Sequence, residues 1–182
     1  MKKLILLLIV LSGISVHALA QTEGHRKTIY GSFLGNAPLG SFNFDMRLKP
    51  ETNFGFGFSA GLGGSASYFG WKSITMGIPV AVNYLLGAGH HALELGLAGT
   101  PEFMLKKTDY GFDGTPPGVK ERSVLFHSHA NIGYRFQPLK DKGIMFNAVW
   151  APAISFKNGG YNGFNKKSSL SNFGIGLGYS FK

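Results

Sequence analysis

The chain has 182 residues, a length that suits one domain. Its 27 glycines and 16 phenylalanines accompany a formal net charge of +9 and a mean hydropathy near zero, which suits a barrel of alternating apolar and tiny or polar residues better than a soluble core. The absence of cysteine excludes disulfides, thiolate metal sites and a lipidated cysteine, and outside the N-terminus no apolar run is long enough for a spanning helix.

Residues 1–20 read as a cleaved signal peptide. Lys2 and Lys3 give a positive start, Leu4 to Leu11 an apolar core, and Ala18-Leu19-Ala20 small residues for cleavage. Ser12, Gly13, Ser15 and His17 end the apolar run too early for an anchor helix. The mature domain is then 21–182, beginning at Gln21. An exported basic chain is expected to meet acidic lipid headgroups or lipopolysaccharide phosphates and not nucleic acid.

After a polar lead-in, Thr28 to Asn36 reads as a first strand whose pattern does not assign its faces. The second, Ser41 to Lys49, alternates cleanly. Phe42, Phe44, Met46 and Leu48 share one face; Asn43, Asp45, Arg47 and Lys49 share the other. A tight join at residues 37–40 links the two. After the polar turn at residues 49–53, the third strand sets Phe54, Phe56, Phe58, Ala60 and Leu62 against Gly55, Gly57, Ser59 and Gly61. Residues 63–72 read as a loop whose Tyr68, Phe69 and Trp71 suit an interfacial girdle.

The fourth strand, Ser73 to about Leu85, turns Ile74, Met76, Ile78, Val80, Val82 and Tyr84 one way. Pro79 lies within it, where a missing ladder donor predicts a bulge. Residues 87–91 form a tight turn whose His90 and His91 are expected to be solvated. The fifth strand, Ala92 to Leu105, opposes Leu93, Leu95, Leu97 and Phe103 to Glu94, Gly96, Ala98, Thr100 and Glu102. Residues 106–122 make the longest loop, with Pro116-Pro117-Gly118.

The sixth strand, Ser123 to Gln137, opposes Val124, Phe126, Ala130, Ile132 and Tyr134 to His127, His129, Asn131 and Arg135. The seventh runs from Gly143 to Phe156, with a Gly, Asn and Lys loop over 157–169. The eighth, Asn172 to Phe181, sets Phe173, Ile175, Leu177, Tyr179 and Phe181 against Gly174, Gly176, Gly178 and Ser180. The loop lysines, Lys106, Lys107, Lys166 and Lys167 among them, belong in a solvated or headgroup zone.

A large apolar face opposite a nearly bare one is the pattern of a strand between lipid and a narrow lumen. Its repetition predicts an all-β fold, an eight-stranded antiparallel transmembrane up-and-down β-barrel. Short turns alternate with longer loops, as in outer-membrane barrels, and an even strand count puts both termini in the periplasm. Closure removes the edges that such strands would otherwise expose. The expected location is the cell outer membrane, and the expected state a monomer.

Several segments resemble a family of small outer-membrane β-barrel proteins of bacteroidete bacteria. They are Ser41-Phe42-Asn43-Phe44-Asp45-Met46-Arg47-Leu48, Pro79-Val80-Ala81-Val82-Asn83-Tyr84-Leu85-Leu86-Gly87 with His91-Ala92-Leu93-Glu94-Leu95-Gly96, Gly133-Tyr134-Arg135-Phe136-Gln137-Pro138, and the closing Gly-Leu-Gly-Tyr-Ser-Phe. The resemblance spans most of the mature chain and implies a barrel of this kind, with no activity attached. It also implies the barrel-assembly machinery as a partner during biogenesis. Such barrels usually end on an aromatic residue; here Lys182 follows Phe181.

The inward faces carry Asp45, Arg47, Glu94, Glu102, His127, His129, Asn131 and Arg135. A lumen of eight strands has room for little more than side chains, and charges buried there must pair. The expected role of these residues is structural, a plug that fixes register and blocks conduction, with no catalysis, cofactor or metal. The protein would then act structurally or bind surfaces through its loops. One alternative is a lipid-modifying enzyme similar to lipid A deacylases, using His127-Ser128-His129 with Glu94 or Glu102. It suffers because Ser128, adjacent to both histidines, falls on the opposite face, and the deacylase spacing of His then Ser two residues on is absent. A metal on His127 and His129 would lack carboxylate ligands. A second alternative is a small pore or hydrophobic-ligand carrier, which requires an open lumen.

Overall fold

The structure, a computed structural model, describes residues 25–37, 39–50, 52–67, 71–108, 120–159 and 163–182. The leader, the start at Gln21, Tyr68, Phe69 and residues 116–118 lie outside these. Among the described residues the chain forms only strands: β1 (Lys27–Leu34), β2 (Gly40–Arg47), β3 (Gly55–Ser67), β4 (Trp71–Gly77), β5 (Val80–Ala88), β6 (His91–Thr108), β7 (Lys120–Phe136), β8 (Lys142–Trp150), β9 (Ala153–Gly159), β10 (Gly163–Ser169) and β11 (Phe173–Phe181).

These pair into eight antiparallel walls. β4 and β5 lie end to end between β3 and β6. β8 and β9 lie end to end along β7, and β10 and β11 continue one another on their far side. β11 then pairs with β1, from Lys27 opposite Phe181 to Leu34 opposite Gly174, and closes the barrel. At that seam Thr28 and Ser180 join through their hydroxyls at 2.7 Å.

Two interruptions fall at prolines. At Pro79 the expected bulge does not form. Ala60 pairs with Val80 and Gly63 with Gly77, so the register runs through unshifted. Pro79 lacks an N–H, but its carbonyl still accepts from the Gly61 amide at 2.9 Å. Pro152 behaves likewise, accepting from Ala130 at 3.1 Å. The register does slip between β10 and β11. Ser169 faces Ala153 while Phe173 faces Trp150, which leaves one extra residue in the 170–172 segment.

The strands are also longer than alternation predicts. β3 runs to Ser67, β6 and β7 reach Thr108 and Lys120, and β9 and β10 pair across the segment expected to be a loop. Hydrogen bonding continues there although the apolar pattern stops, because a ladder needs only backbone groups.

The apolar side chains face outward all round. Leu97 is 72% exposed, Leu62 67%, Phe42 65% and Ile144 64%. The interior is largely polar: Asp45, Arg47, Asn83, Glu94, Thr100 and Arg135 are all buried, with Leu85 and Met145 as large apolar side chains buried among them. The first strand, which the sequence left without faces, turns Thr28 inward and Ile29 and Phe33 outward. The bare faces of β3 and β11 are explained by neighbours. A Cβ at Gly57 would strike the Arg47 guanidinium, at Gly61 the Asn43 amide, at Gly176 the Asn147 amide and at Gly178 the Tyr30 side chain. Glycine on these strands makes room for larger groups that reach into the lumen from adjacent strands.

Candidate functional site

The middle of the lumen is a neutral tetrad of two carboxylates and two guanidiniums. Alternation brings Asp45 and Arg47 inward on β2, Glu94 on β6 and Arg135 on β7. Arg135 donates to both Glu94 oxygens, Nε and Nη2 each at 2.9 Å, and its Nη1 reaches across the lumen to Asp45 at 3.0 Å. Arg47 donates to Asp45 at 2.7 and 2.8 Å, to the Asn83 carbonyl oxygen, and to the Gly55 carbonyl at 3.1 Å. Asn83 returns its amide to Asp45 at 2.8 Å, and Asn147 approaches Glu94 at 3.4 Å. Asp45, Arg47 and Arg135 are each 1% exposed. Every charge has an opposite charge within hydrogen-bond reach, the condition under which ions survive in a dry interior.

The end of the barrel that carries the termini is closed by a second network. Arg26, buried beside Arg47, donates through Nε to the Asn53 side chain and through Nη2 to the Lys140 carbonyl at 2.7 Å. Burial pulls this guanidinium below the ordinary arginine value, and the charge of Asp141 opposes the pull. Asn53 donates to the Pro138 carbonyl at 3.2 Å and accepts from Gln137 on its own carbonyl.

At the other end the β1–β2 turn folds into the mouth. Leu34 and Gly35 both take positive φ, 59° and 79°, which redirects the chain inward. Gly35 and Ala37 are buried, and Thr100 on the opposite wall donates to the Asn36 carbonyl at 2.7 Å. Asn172 donates to the Gly35 carbonyl at 2.6 Å. Between this turn and the tetrad lies a cavity of about 30 Å³, lined by Tyr30, Asn36, Asn43, Glu94 and Asn131 among others. Asn36 and Asn131 each bury an Oδ1 without a protein partner among the described residues. The cavity is therefore polar and has room for about two waters, an order of magnitude below the ~300–1,000 Å³ of small-molecule sites.

Of the sequence-derived residues, Asp45, Arg47, Glu94 and Arg135 thus meet in one cluster. Glu102 and His127 form a separate pair nearer the turn, with His127 Nε2 3.1 Å from the carboxylate. His129 stacks on His127 with ring centres 6.1 Å apart, and its Nδ1 lies 3.5 Å from the Ala151 carbonyl. Asn131 lines the cavity. Ser128 pairs with Gly99 in the ladder, one position along from both imidazoles and on the opposite strand face, so base, acid and hydroxyl do not converge. Among the described residues no group of three metal-ligating side chains forms. His90 is not simply solvated: its Nδ1 lies 3.0 Å from the Gln137 carbonyl and its ring stacks on Phe136.

Sequence reasoning missed Tyr30, Asn147, Arg26, Asn53 and the inward turn. Asn147 was legible, because it alternates with Phe146 and Ala148. Arg26 was legible only once Thr28 is known to face inward.

No family model matches the sequence, and no curated protein matches it. Two solved structures are similar to it. One is the N-terminal β-barrel domain of OprF from Pseudomonas aeruginosa, at 9% identity and a TM-score of 0.45, covering 86% of this chain and 96% of that one. The other is a major outer membrane protein from Thermus thermophilus, at 9% identity and a TM-score of 0.41, covering 87% and 99%. At such values neither bears on activity. The fold stands on the strand pairing itself.

Proposed function

We propose that the chain is an integral outer-membrane barrel with a closed lumen, without catalysis, acting through the end of the barrel remote from its termini. One observation carries this reading. The protein is inverted relative to a soluble domain, with a belt of exposed Leu, Ile, Phe and Val around a core of paired ions. A belt of that size in water would drive aggregation; hydrocarbon satisfies it, and the closed ladder leaves no backbone edge at that depth. Among the described residues the tetrad and the two end networks fill the lumen around a small cavity, which favours a plugged barrel over a pore or a carrier. The divergence of Ser128 from the Glu102–His127 pair weighs against a deacylase-like reaction.

Membrane fractionation with gel electrophoresis tests the reading. The expected protein is found in the outer membrane and migrates faster unheated than boiled, because a closed barrel resists detergent unfolding. Recovery as a soluble periplasmic species would overturn it.

A further inference from the structure

Strands β6 and β7 carry a groove on the outer face of the barrel, starting at the end that holds the termini. The register sets His91 opposite Phe136, Leu93 opposite Tyr134, Leu95 opposite Ile132 and Leu97 opposite Ala130. Alternation puts all of these on the outer face. Two open depressions follow one another along this seam. The first, of about 320 Å³, lies against His91, Leu93 and Tyr134. The second, of about 370 Å³, lies against Leu95, Leu97, Ala130 and Ile132, with Phe56 and Tyr84 beside them. Ala130 is exposed and small where its neighbours are large, which makes room there. From His91 to Leu97 the strand runs about 20 Å, or about 15 Å along the membrane normal at the tilt of such barrels. That is half of the ~30 Å hydrocarbon thickness, the depth of one leaflet.

The head of the groove is polar. His91 Nδ1 lies 2.6 Å from the Tyr134 hydroxyl. With that hydroxyl donating to Nδ1, the proton of the neutral imidazole sits on Nε2, a donor on an exposed side chain. Phe136 stands edge-on to the imidazole, with ring centres 5.8 Å apart. The neighbouring His90 is engaged elsewhere, on the Gln137 carbonyl and stacked on Phe136.

We infer that the groove holds one glycerophospholipid of the leaflet on the side of the termini. Its phosphodiester accepts from His91 Nε2, and one acyl chain lies along β6 and β7 as far as Ala130. The inference rests on the membrane reading above and adds a lipid site to it. An apolar groove alone would take any acyl chain. The donor at its head selects a chain borne on phosphate, and the depth of one leaflet matches a chain anchored at the interface.

The test uses the full chain folded in neutral detergent, delipidated, and titrated under native mass spectrometry with phosphatidylglycerol, with diacylglycerol and with water-soluble glycerophosphoglycerol. The wild type should retain phosphatidylglycerol in preference to the other two. His91→Ala should bind it on the order of tenfold more weakly, through the loss of one charge-assisted hydrogen bond. Tyr134→Phe keeps the ring and releases the imidazole, so its loss should be smaller. Ala130→Phe fills the far half of the groove and should weaken retention while heat-modifiable migration stays intact. Tyr179→Phe, exposed on β11 away from the groove, should bind as the wild type does. Wild-type affinity in folded His91→Ala, or equal retention of diacylglycerol, would overturn the phosphate contact. Wild-type affinity in Ala130→Phe, or equal retention of glycerophosphoglycerol, would overturn the acyl groove. A protein dimer that Ala130→Phe abolishes would overturn lipid as the occupant. Failure of the membrane reading would look different: no heat-modifiable species would form in any detergent or bilayer.

Discussion

Arg135 is the residue on which the lumen turns. It holds Glu94 with two bonds and crosses to Asp45 with a third. Truncation by Arg135→Ala would leave Glu94 facing the Asn83 and Asn147 amides, each at 3.4 Å, and remove half of the ionic partnership of Asp45. Breaking one partner of a buried ion cluster costs about 3–5 kcal/mol. That loss should appear as an earlier urea midpoint for the barrel folded in lipid vesicles. A midpoint within error of the wild type would mean that water already reaches the tetrad. Part of this cluster was readable as pattern alone, since Asp45, Arg47, Glu94 and Arg135 each sit opposite large apolar neighbours. Tyr30 was not, because Ile29 and Tyr30, and Phe33 and Leu34, put large side chains at consecutive positions and so hide the period.

Among the elements, the two faces of β6 make the sharpest contrast. Leu97 is 72% exposed near the middle of the apolar belt, while its neighbour Ala98 is buried in the lumen. Leu97→Arg should cost ~2–4 kcal/mol in lipid, whereas Ala98→Ser should change stability little. Equal losses in vesicle unfolding would mean the two faces are exchanged. The β1–β2 turn gives a second contrast. A Cβ at Gly174 would stand 2.7 Å from the Gly35 Cα, backbone against backbone. Gly174→Ala should therefore lift the turn from the mouth at a cost of about 1–3 kcal/mol, and a single cysteine placed at Asn131 should then react faster with a polar thiol reagent. The chain's lack of cysteine makes that label unambiguous. Unchanged labelling would show that the turn does not cover the cavity. Alternation gave the number and order of walls, but not this turn. Gly35 and Asn36 bond to Asn172 and Thr100, which are far away in sequence, and no local period records such contacts. Nor did alternation give β10, whose Gly-Phe-Asn-Lys-Lys-Ser-Ser is strand only because β9 supplies its ladder.

At the scale of the whole molecule, three networks lie in series along the barrel: the Arg26–Asn53–Gln137 closure, the charged tetrad and the inward turn. Any one of them narrows the path, and among the described residues the cavity between the tetrad and the turn has room for about two waters. The most direct measurement of this account is the conductance of the unmodified protein in a planar lipid bilayer. The closed lumen predicts almost none, with current rising when Arg135→Ala and Gly174→Ala are combined. A steady, large, ohmic conductance from the unmodified protein would contradict the account and make the barrel a pore.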